Sequence, residues 1–415
     1  MNVNDLILNK TNKPSLVWVM VCVFVFIHSI GSAVADEVVV HSEPDTLSFQ
    51  ATADSLIVSP AEDFVNVSVL VASEGKMLYS ALGHACLRLE CPTHHLDYIF
   101  SDEAEAVQHN IPRFFAGKLK TRVMAIPTSE YLQQYVDEGR GVLSYKVNLP
   151  IQTKQHLWEM MDNRVAEGPH PFDFVNYSCA ISVYRWLLGA IGKDNVTIEK
   201  WPDTFDKSRY ELGDIVLAES WNRFFLGTVC QGEILDASVP NSKKVIIPND
   251  MLKVLHETKA YGQPLLDKEP QVLVEKTGVI QRAKPMPLTV AVAMLCMASI
   301  NLFFHWKPLR WIVAIPLLLL GAFCSYLVFF SHLPATQWNW LVIPFCPVPF
   351  VFWKWRRYWG YAMAAVCVAW CVAMLLSPHT LVFTPHVVLA FAMALIYIEI
   401  VIQEKKSNKK IVIKK

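Results

Sequence analysis

The sequence has no excess charge of either sign. Its 37 Lys and Arg balance 37 Asp and Glu, a formal net charge of +0, so nothing in it points to a nucleic-acid partner. It contains no HExxH, GxSxG, GxGxxG or P-loop pattern, which leaves metalloprotease, serine-hydrolase and nucleotide-binding readings without support. There is no internal repeat and no low-complexity segment. The cluster Cys86, Cys91, His94 and His95 matches no standard zinc spacing, so neither a metal nor a cofactor is expected. Cys22 lacks the preceding small residue that a lipoprotein signal requires, so no lipid anchor is read there.

What the chain does have is apolar residues, 53% of the total, and they are unevenly spread. Residues 1–35 read as a secretory signal: Lys10 and Lys13, an apolar run from Leu16 to Ile30, then the small-x-small site Ala33-Val34-Ala35. An uncleaved anchor is the alternative, and either way residue 36 onward is exported. Residues 36–60 read as a linker and 61–283 as a globular domain. Residues 284–403 hold apolar spans at about 287–305, 309–330, 339–353, 358–376 and 383–402, the third short and Pro-rich, which predicts about five transmembrane helices. Lys307, Arg310, Lys354, Arg356, Arg357 and the basic tail 404–415 fall on one side of that pattern, and the intervening loops are uncharged. The positive-inside rule then puts the tail in the cytoplasm and 61–283 outside the inner membrane of a bacterium.

Within 61–283 the elements segregate, so the fold class is α+β. Strands are expected over 64–73, 83–89, 95–101 and 141–150, with a further pair over 114–119 and 121–127. Helices are expected over 129–140 and 153–168, and from Cys179, where Ala180, Ile181, Val183, Tyr184, Leu187, Leu188 and Ile191 recur at helical spacing. A cysteine at a helix N-terminus sits where the macrodipole favours a thiolate. Thiol catalysis also needs a base and a group to orient it. His84, after Gly83 on the polar face of its strand, is the candidate base. Asp97 is preferred over His95 as the orienting group. The Cys179 N–H, with Asn176 or Tyr177, would hold an oxyanion. Arg88 and Arg185 are candidates for a lipid phosphate. His332, Asn339, His379 and His386, in uncharged outer loops, are candidates to line a lipid entry. Cys86 with Cys91, and Cys179 with Cys230, are possible disulfides that the sequence leaves open.

The motifs GHACLRL (83–89), FFAGKL (114–119), Tyr131 and Tyr135 followed by Gly139-Arg140, NLP (148–150) and FDFVNYSCAISVYRWL (172–187) resemble the Lnb-type lipoprotein N-acyltransferase family in that order. The resemblance covers about 80–230 and implies a circularly permuted papain-like exported domain, similar to NlpC and lecithin:retinol acyltransferase domains, ahead of a multi-span membrane domain. His84 matches the family's Gly-His motif, Cys179 its Asn-Cys motif and Arg185 the arginine that follows; here Ser178 stands where the asparagine would precede the cysteine. The implied activity moves an acyl chain from a phospholipid, through a Cys179 thioester, to the α-amine of a diacylated lipoprotein. A cell-envelope peptidase or amidase, a phospholipase and an inactive membrane receptor are the alternatives.

Overall fold

The computed structural model describes residues 65–105, 110–173, 177–201, 220–229, 245–278, 284–333, 336–337, 339–376 and 384–413. The expected signal and linker, Asn176, Cys230 and His379 lie outside these residues. The described chain is α+β, with an antiparallel sheet followed by a bundle of apolar helices.

The strands are β1 (Asn66–Ala72), β2 (His84–Cys91), β3 (Leu96–Ala104), β4 (Lys120–Pro127), β5 (Val142–Lys146), β6 (His170–Pro171), β7 (Val196–Ile198), β8 (Thr258–Ala260), β9 (Gln263–Pro264) and β10 (Gln271–Val274). The main sheet runs β10-β5-β1-β2-β3-β4-β6, and β7-β8-β9 form a small second sheet. The sheet domain's helices are α1 (Ile111–Phe115), α2 (Thr128–Glu138), α3 (Ile151–Ala166), α4 (Cys179–Ile191), α5 (Trp221–Val229) and α6 (Pro248–His256).

Period-two alternation places the strand residues. Ala85, Leu87 and Leu89 of β2 enter the core shared with Leu157 and Met161 of α3, Ile181, Val183 and Leu187 of α4, and Val254 and Leu255 of α6. Each such aliphatic side chain contributes about 1.5–3 kcal/mol on burial. Cys86 points the other way, into a cluster with Leu70, Ile99 and the α2 residues Tyr131 and Tyr135. The strand expected over 114–119 is not formed. Pro112, in the first turn, opens the helix α1, which ends at Phe115. The aromatic stretch WNRFFLG (221–227) lies in the helix α5.

Among the described residues, four helices are long and apolar enough to cross a membrane: α7 (Pro287–Phe304), α8 (Lys307–Phe330), α9 (Arg356–Leu376) and α10 (Thr384–Ile413). The fifth helix expected at 339–353 is absent; that stretch forms only short turns, Trp340–Val342, Val348–Val351 and Trp353–Trp355. It nevertheless runs the length of the bundle. Asn339 lies at the end nearest the sheet domain, where it donates to the Thr228 carbonyl. The Phe345 carbonyl packs on Gly321, in the interior of α8, and Trp353 stacks near Trp311 at its other end. The prolines explain the irregular path. Pro344, Pro347 and Pro349 break helical bonding and bring no N–H that needs a partner. Side chains of α9 answer three carbonyls: Cys367 Sγ to Pro344 at 3.4 Å, Trp359 Nε1 to Phe352 at 3.0 Å and Arg356 Nη1 to Trp353 at 3.1 Å. Backbone that is neither helix nor barrel survives at such depth only when protein covers it.

Gly321 makes this packing possible, because a Cβ there would collide with the Phe345 carbonyl. Gly321→Val is expected to destabilise the bundle by about 1–3 kcal/mol or more. Thermal unfolding of the full chain in detergent would show it as a lowered Tm; an unchanged Tm would contradict the packing.

The bundle's two ends differ. At one end Arg310 makes a two-pronged ion pair with Glu399 (2.6 and 2.9 Å), Gln403 donates to the His305 carbonyl, and Arg356 pairs with Glu404. At the other end the sheet domain docks. Phe115 meets Phe323 edge-on at 4.9 Å, and the His332 N–H donates to the Ala116 carbonyl. Gly117, at φ 67°, lies so close to the His332–Leu333 backbone that a Cβ would clash. Phe224 of α5 stacks on His386 at 4.4 Å, and Thr228 shares a 2.9 Å hydrogen bond with the same imidazole.

Candidate active site

The β2–β3 hairpin sets the geometry. Its ladder pairs Leu87 with Phe100 through to Cys91 with Leu96. At the near end His84, Ala85 and Cys86 pair with β1, and Ser101 to Ala104 pair with β4. A gap therefore opens between β2 and β3. The same register carried across it sets His84 opposite Glu103 and Cys86 opposite Ser101, all on the α2 face.

Cys179 opens α4 on the other face of the sheet. Ser178 is its N-cap, with β-region backbone and Oγ accepting from the Ile181 N–H at 3.2 Å. The departure from the Asn-Cys motif thus has a local physical role, since Ser caps a helix well. The thiol lies within hydrogen-bonding reach of His84 and takes a further hydrogen bond from the Ala85 backbone.

The imidazole is gripped from behind. His84 Nε2 lies 2.9 Å from Ser101 Oγ and 3.5 Å from Glu103 Oε1, and Ser101 donates its proton to Glu103 at 2.7 Å. With that proton committed, His84 Nε2–H must be the donor toward Ser101. This leaves Nδ1 to exchange a proton with the thiol. Tyr135 donates to Tyr131 at 3.0 Å, and Tyr131 lies 3.4 Å from both Ser101 and Glu103. Burial holds both phenols above their ordinary pKa, so they remain donors.

The electrostatics follow from this chain of contacts. Burial opposes ionisation of Cys179, but the charge and hydrogen bond of His84, with the Ala85 N–H, bring its pKa below the ordinary thiol value. Burial likewise opposes His84 protonation, yet the Cys179 charge raises it well above its usual value, with further help from Cys179 and Glu103 hydrogen bonds. Glu103 overcomes its own burial through His84, Ser101 and Tyr131 and falls to about 2. Both shifts favour the thiolate–imidazolium pair over the neutral one. Cys86, nearby but buried, is pushed up to about 12 and stays a neutral core thiol. Cys86, Cys91 and Cys179 are all free, so the candidate disulfides are not made; Cys86 and Cys91 sit five positions apart on one extended strand.

Several expected site residues lie elsewhere. Asp97 does not orient His84. It pairs with Glu90, near the hairpin turn. At about 3.4 Å per residue that is roughly 20 Å along β2 from His84. There it takes two 2.7 Å hydrogen bonds from Arg88 and one of 2.5 Å from Thr128. Arg88 is thus already occupied by a carboxylate and is not a free phosphate clamp. His95 is exposed in the same turn, at φ 54°, and does not approach the thiol. Tyr177 is 50% exposed and its N–H donates to the Asp173 carbonyl, so that N–H is unavailable to an oxyanion. Arg185 is exposed and lies over the Tyr177 ring at 5.2 Å, beside the site. Asn339 does not line an entry: it is buried, donating to Thr228 and accepting from the Leu341 N–H. His386 is buried as well, and His332 is exposed, its backbone N–H on the docking contact with Ala116. Glu103 was missed because the strand was expected to end at 101, and Ser101 because it was the last residue of that strand; counting across the hairpin from His84 finds both. No group of three or more metal-ligating side chains occurs among the described residues.

Residues 61–206 match the family model of the Lnb N-terminal periplasmic domain. No curated protein and no solved structure matches the chain. Cys179, His84 and Glu103 all fall within that stretch, so the domain that carries them is similar to the Lnb N-terminal periplasmic domain.

Proposed function

We propose that this protein is a thiol acyltransferase of the bacterial inner membrane that N-acylates lipoproteins. The observation that carries the reading is the Cys179–His84–Glu103 relay in a domain docked onto an apolar bundle. The Cys179 thiolate attacks an acyl ester of a phospholipid, and the His84 imidazolium gives its proton to the departing lysophospholipid oxygen. The acceptor is the α-amine of a diacylated lipoprotein. A thioester reacts readily with an amine, which suits cysteine to this two-step transfer. The Cys179 N–H, at the start of α4, is placed to hold the developing oxyanion. Arg185, exposed beside Tyr177, is the side chain offered to a lipid phosphate.

In this reading the sheet domain is a permuted papain-like fold, with its histidine strand ahead of its cysteine helix. The four helices and the irregular stretch 339–355 make five passes. The Arg310–Glu399 end faces the cytoplasm, together with the C-terminus. Both lipid substrates then lie in the leaflet against which the domain is held, and neither has to be extracted into water.

The test uses the full chain in detergent with a phospholipid labelled in its acyl chains. The label should appear on Cys179, be released by hydroxylamine, and pass to the amine of a synthetic diacyl lipopeptide. Label recovered solely as free fatty acid would identify a phospholipase, and no label on Cys179 would end the thioester mechanism.

A further inference from the structure

Successive residues of β3 point to opposite faces of the sheet, and two of them each hold a histidine. Glu103 faces α2 and holds His84. Asp102 faces α4. Its carboxylate is buried and accepts from Thr121 Oγ1 at 2.6 Å and from Ser182 Oγ at 2.9 Å, and it lies 3.6 Å from His170 Nε2. Ser182 is one turn along α4 from Cys179, on the same side of the helix. The Tyr177 ring, two residues before Cys179, packs against His170 at 6.0 Å. His170 is thus tied to both flanks of the nucleophile by contacts that do not involve His84. Its imidazole is 39% exposed, whereas the Asp102 carboxylate behind it is 5% exposed. A buried carboxylate with two hydroxyl donors, backing an open imidazole, is the arrangement that makes a histidine a base.

We infer that His170, backed by Asp102, is a second base at this site, and that it takes the proton an acceptor amine must lose before it attacks the thioester. The inference rests on the acyl-transfer reading, and proton balance calls for such a group. When the thioester has formed, the C–S bond is made, the ester C–O bond is broken, and His84 is neutral because its proton has left on the lysophospholipid oxygen. An α-amine, with a pKa of about 8, arrives at neutral pH as an ammonium ion, which has no lone pair. It must shed one proton to become a nucleophile. It sheds a second as its nitrogen bonds to the acyl carbon and the C–S bond breaks. His84 takes that second proton and the thiolate–imidazolium pair is restored. The first proton goes to His170 Nδ1. In the tautomer that turns Nε2–H toward Asp102, Nδ1 is the acceptor, and the Pro171 carbonyl 3.4 Å from Nδ1 accepts from the protonated form. Among the described residues, the ionisable and charged groups around His170 are Asp102 from β3, Tyr177 from the segment before α4, Arg185 behind Tyr177, and Lys120, whose β4 position pairs with Pro171.

The test separates the two half-reactions in the full-length protein, wild type and His170→Gln. Formation of the Cys179 thioester from labelled phospholipid should match wild type within about two-fold, because that step uses the His84 proton only. Transfer to a diacyl lipopeptide at pH 7 should slow by about 10²-fold, the lower range for loss of a general base. The deficit should shrink as the pH passes the amine's pKa of about 8. Hydroxylamine, already neutral at pH 7, should discharge both acyl-enzymes at the same rate, which also reports that the variant is folded. Wild-type transfer by His170→Gln at pH 7 would overturn the proposal, as would an equal loss toward hydroxylamine or in thioester formation. A wild-type protein that forms no Cys179 thioester would remove both this proposal and the acyltransferase reading beneath it.

Discussion

Cys179→Ala is expected to reduce lipoprotein N-acylation by at least about 10⁴-fold, because members of a catalytic relay act as a unit and little survives loss of the nucleophile. The reason lies in the charge arrangement. The depressed Cys179 pKa and the raised His84 pKa both favour the thiolate–imidazolium pair, in a window bounded by Cys179 protonation on the acid side and His84 deprotonation on the alkaline side. Below the window the thiolate is protonated. Above it His84 loses the proton needed by the leaving lysophospholipid. Alkylation of wild-type Cys179 by iodoacetamide should therefore plateau at a pH below the range of an ordinary thiol. Cys179→Ser should fall nearly as far as alanine, because a hydroxyl does not ionise against this imidazole. Mass spectrometry of a lipoprotein's N-terminal lipopeptide, from cells whose sole copy is Cys179→Ala, reads the result directly. A fully N-acylated peptide in that strain would refute the thioester route.

Glu103→Gln should cost about 10²- to 10³-fold, in the range seen when the carboxylate behind a catalytic imidazole is lost or its tautomer disturbed. Glu103 supports the charged form of His84, so removing its charge lowers the His84 pKa and moves the alkaline limb of the rate profile to lower pH. The acid limb should move little. Glu103 directly raises the Cys179 pKa while indirectly lowering it through His84, and the two effects oppose each other. Asp97→Asn provides the contrast. It weakens the Arg88 and Thr128 contacts at the far end of the hairpin and should leave both limbs in place. If Asp97→Asn shifted the alkaline limb and Glu103→Gln did not, the assignment of the orienting carboxylate would be reversed.

These expectations mark how much was legible before any coordinates. Hydrophobic period and cap chemistry are local properties, so β1, β2, β5 and α4 lie where spacing places them, and Cys179 begins its helix. Local chemistry also explains the one failure among the expected membrane spans. Pro344, Pro347 and Pro349 are visible in the sequence, but a hydropathy window averages over them and reports a helix. That the irregular stretch still runs the length of the bundle depends on Gly321 and on donors from α9, which lie far away in the chain.

The sequence alone determined the α+β segregation, the apolar C-terminal region and the separate nomination of His84 and Cys179. Each follows from the residue types in a short window. Which carboxylate stands behind His84 was decided only by tertiary structure. Asp97 and Glu103 lie on the same face of the same strand, and a hairpin register distinguishes them by six residues. The gap between β2 and β3 that admits a thiol from the opposite face, the use of Asn339 and His386 as docking contacts, and the meeting of Asp102 with His170 are equally non-local. Each joins side chains from elements distant in sequence, and no local propensity encodes that distance.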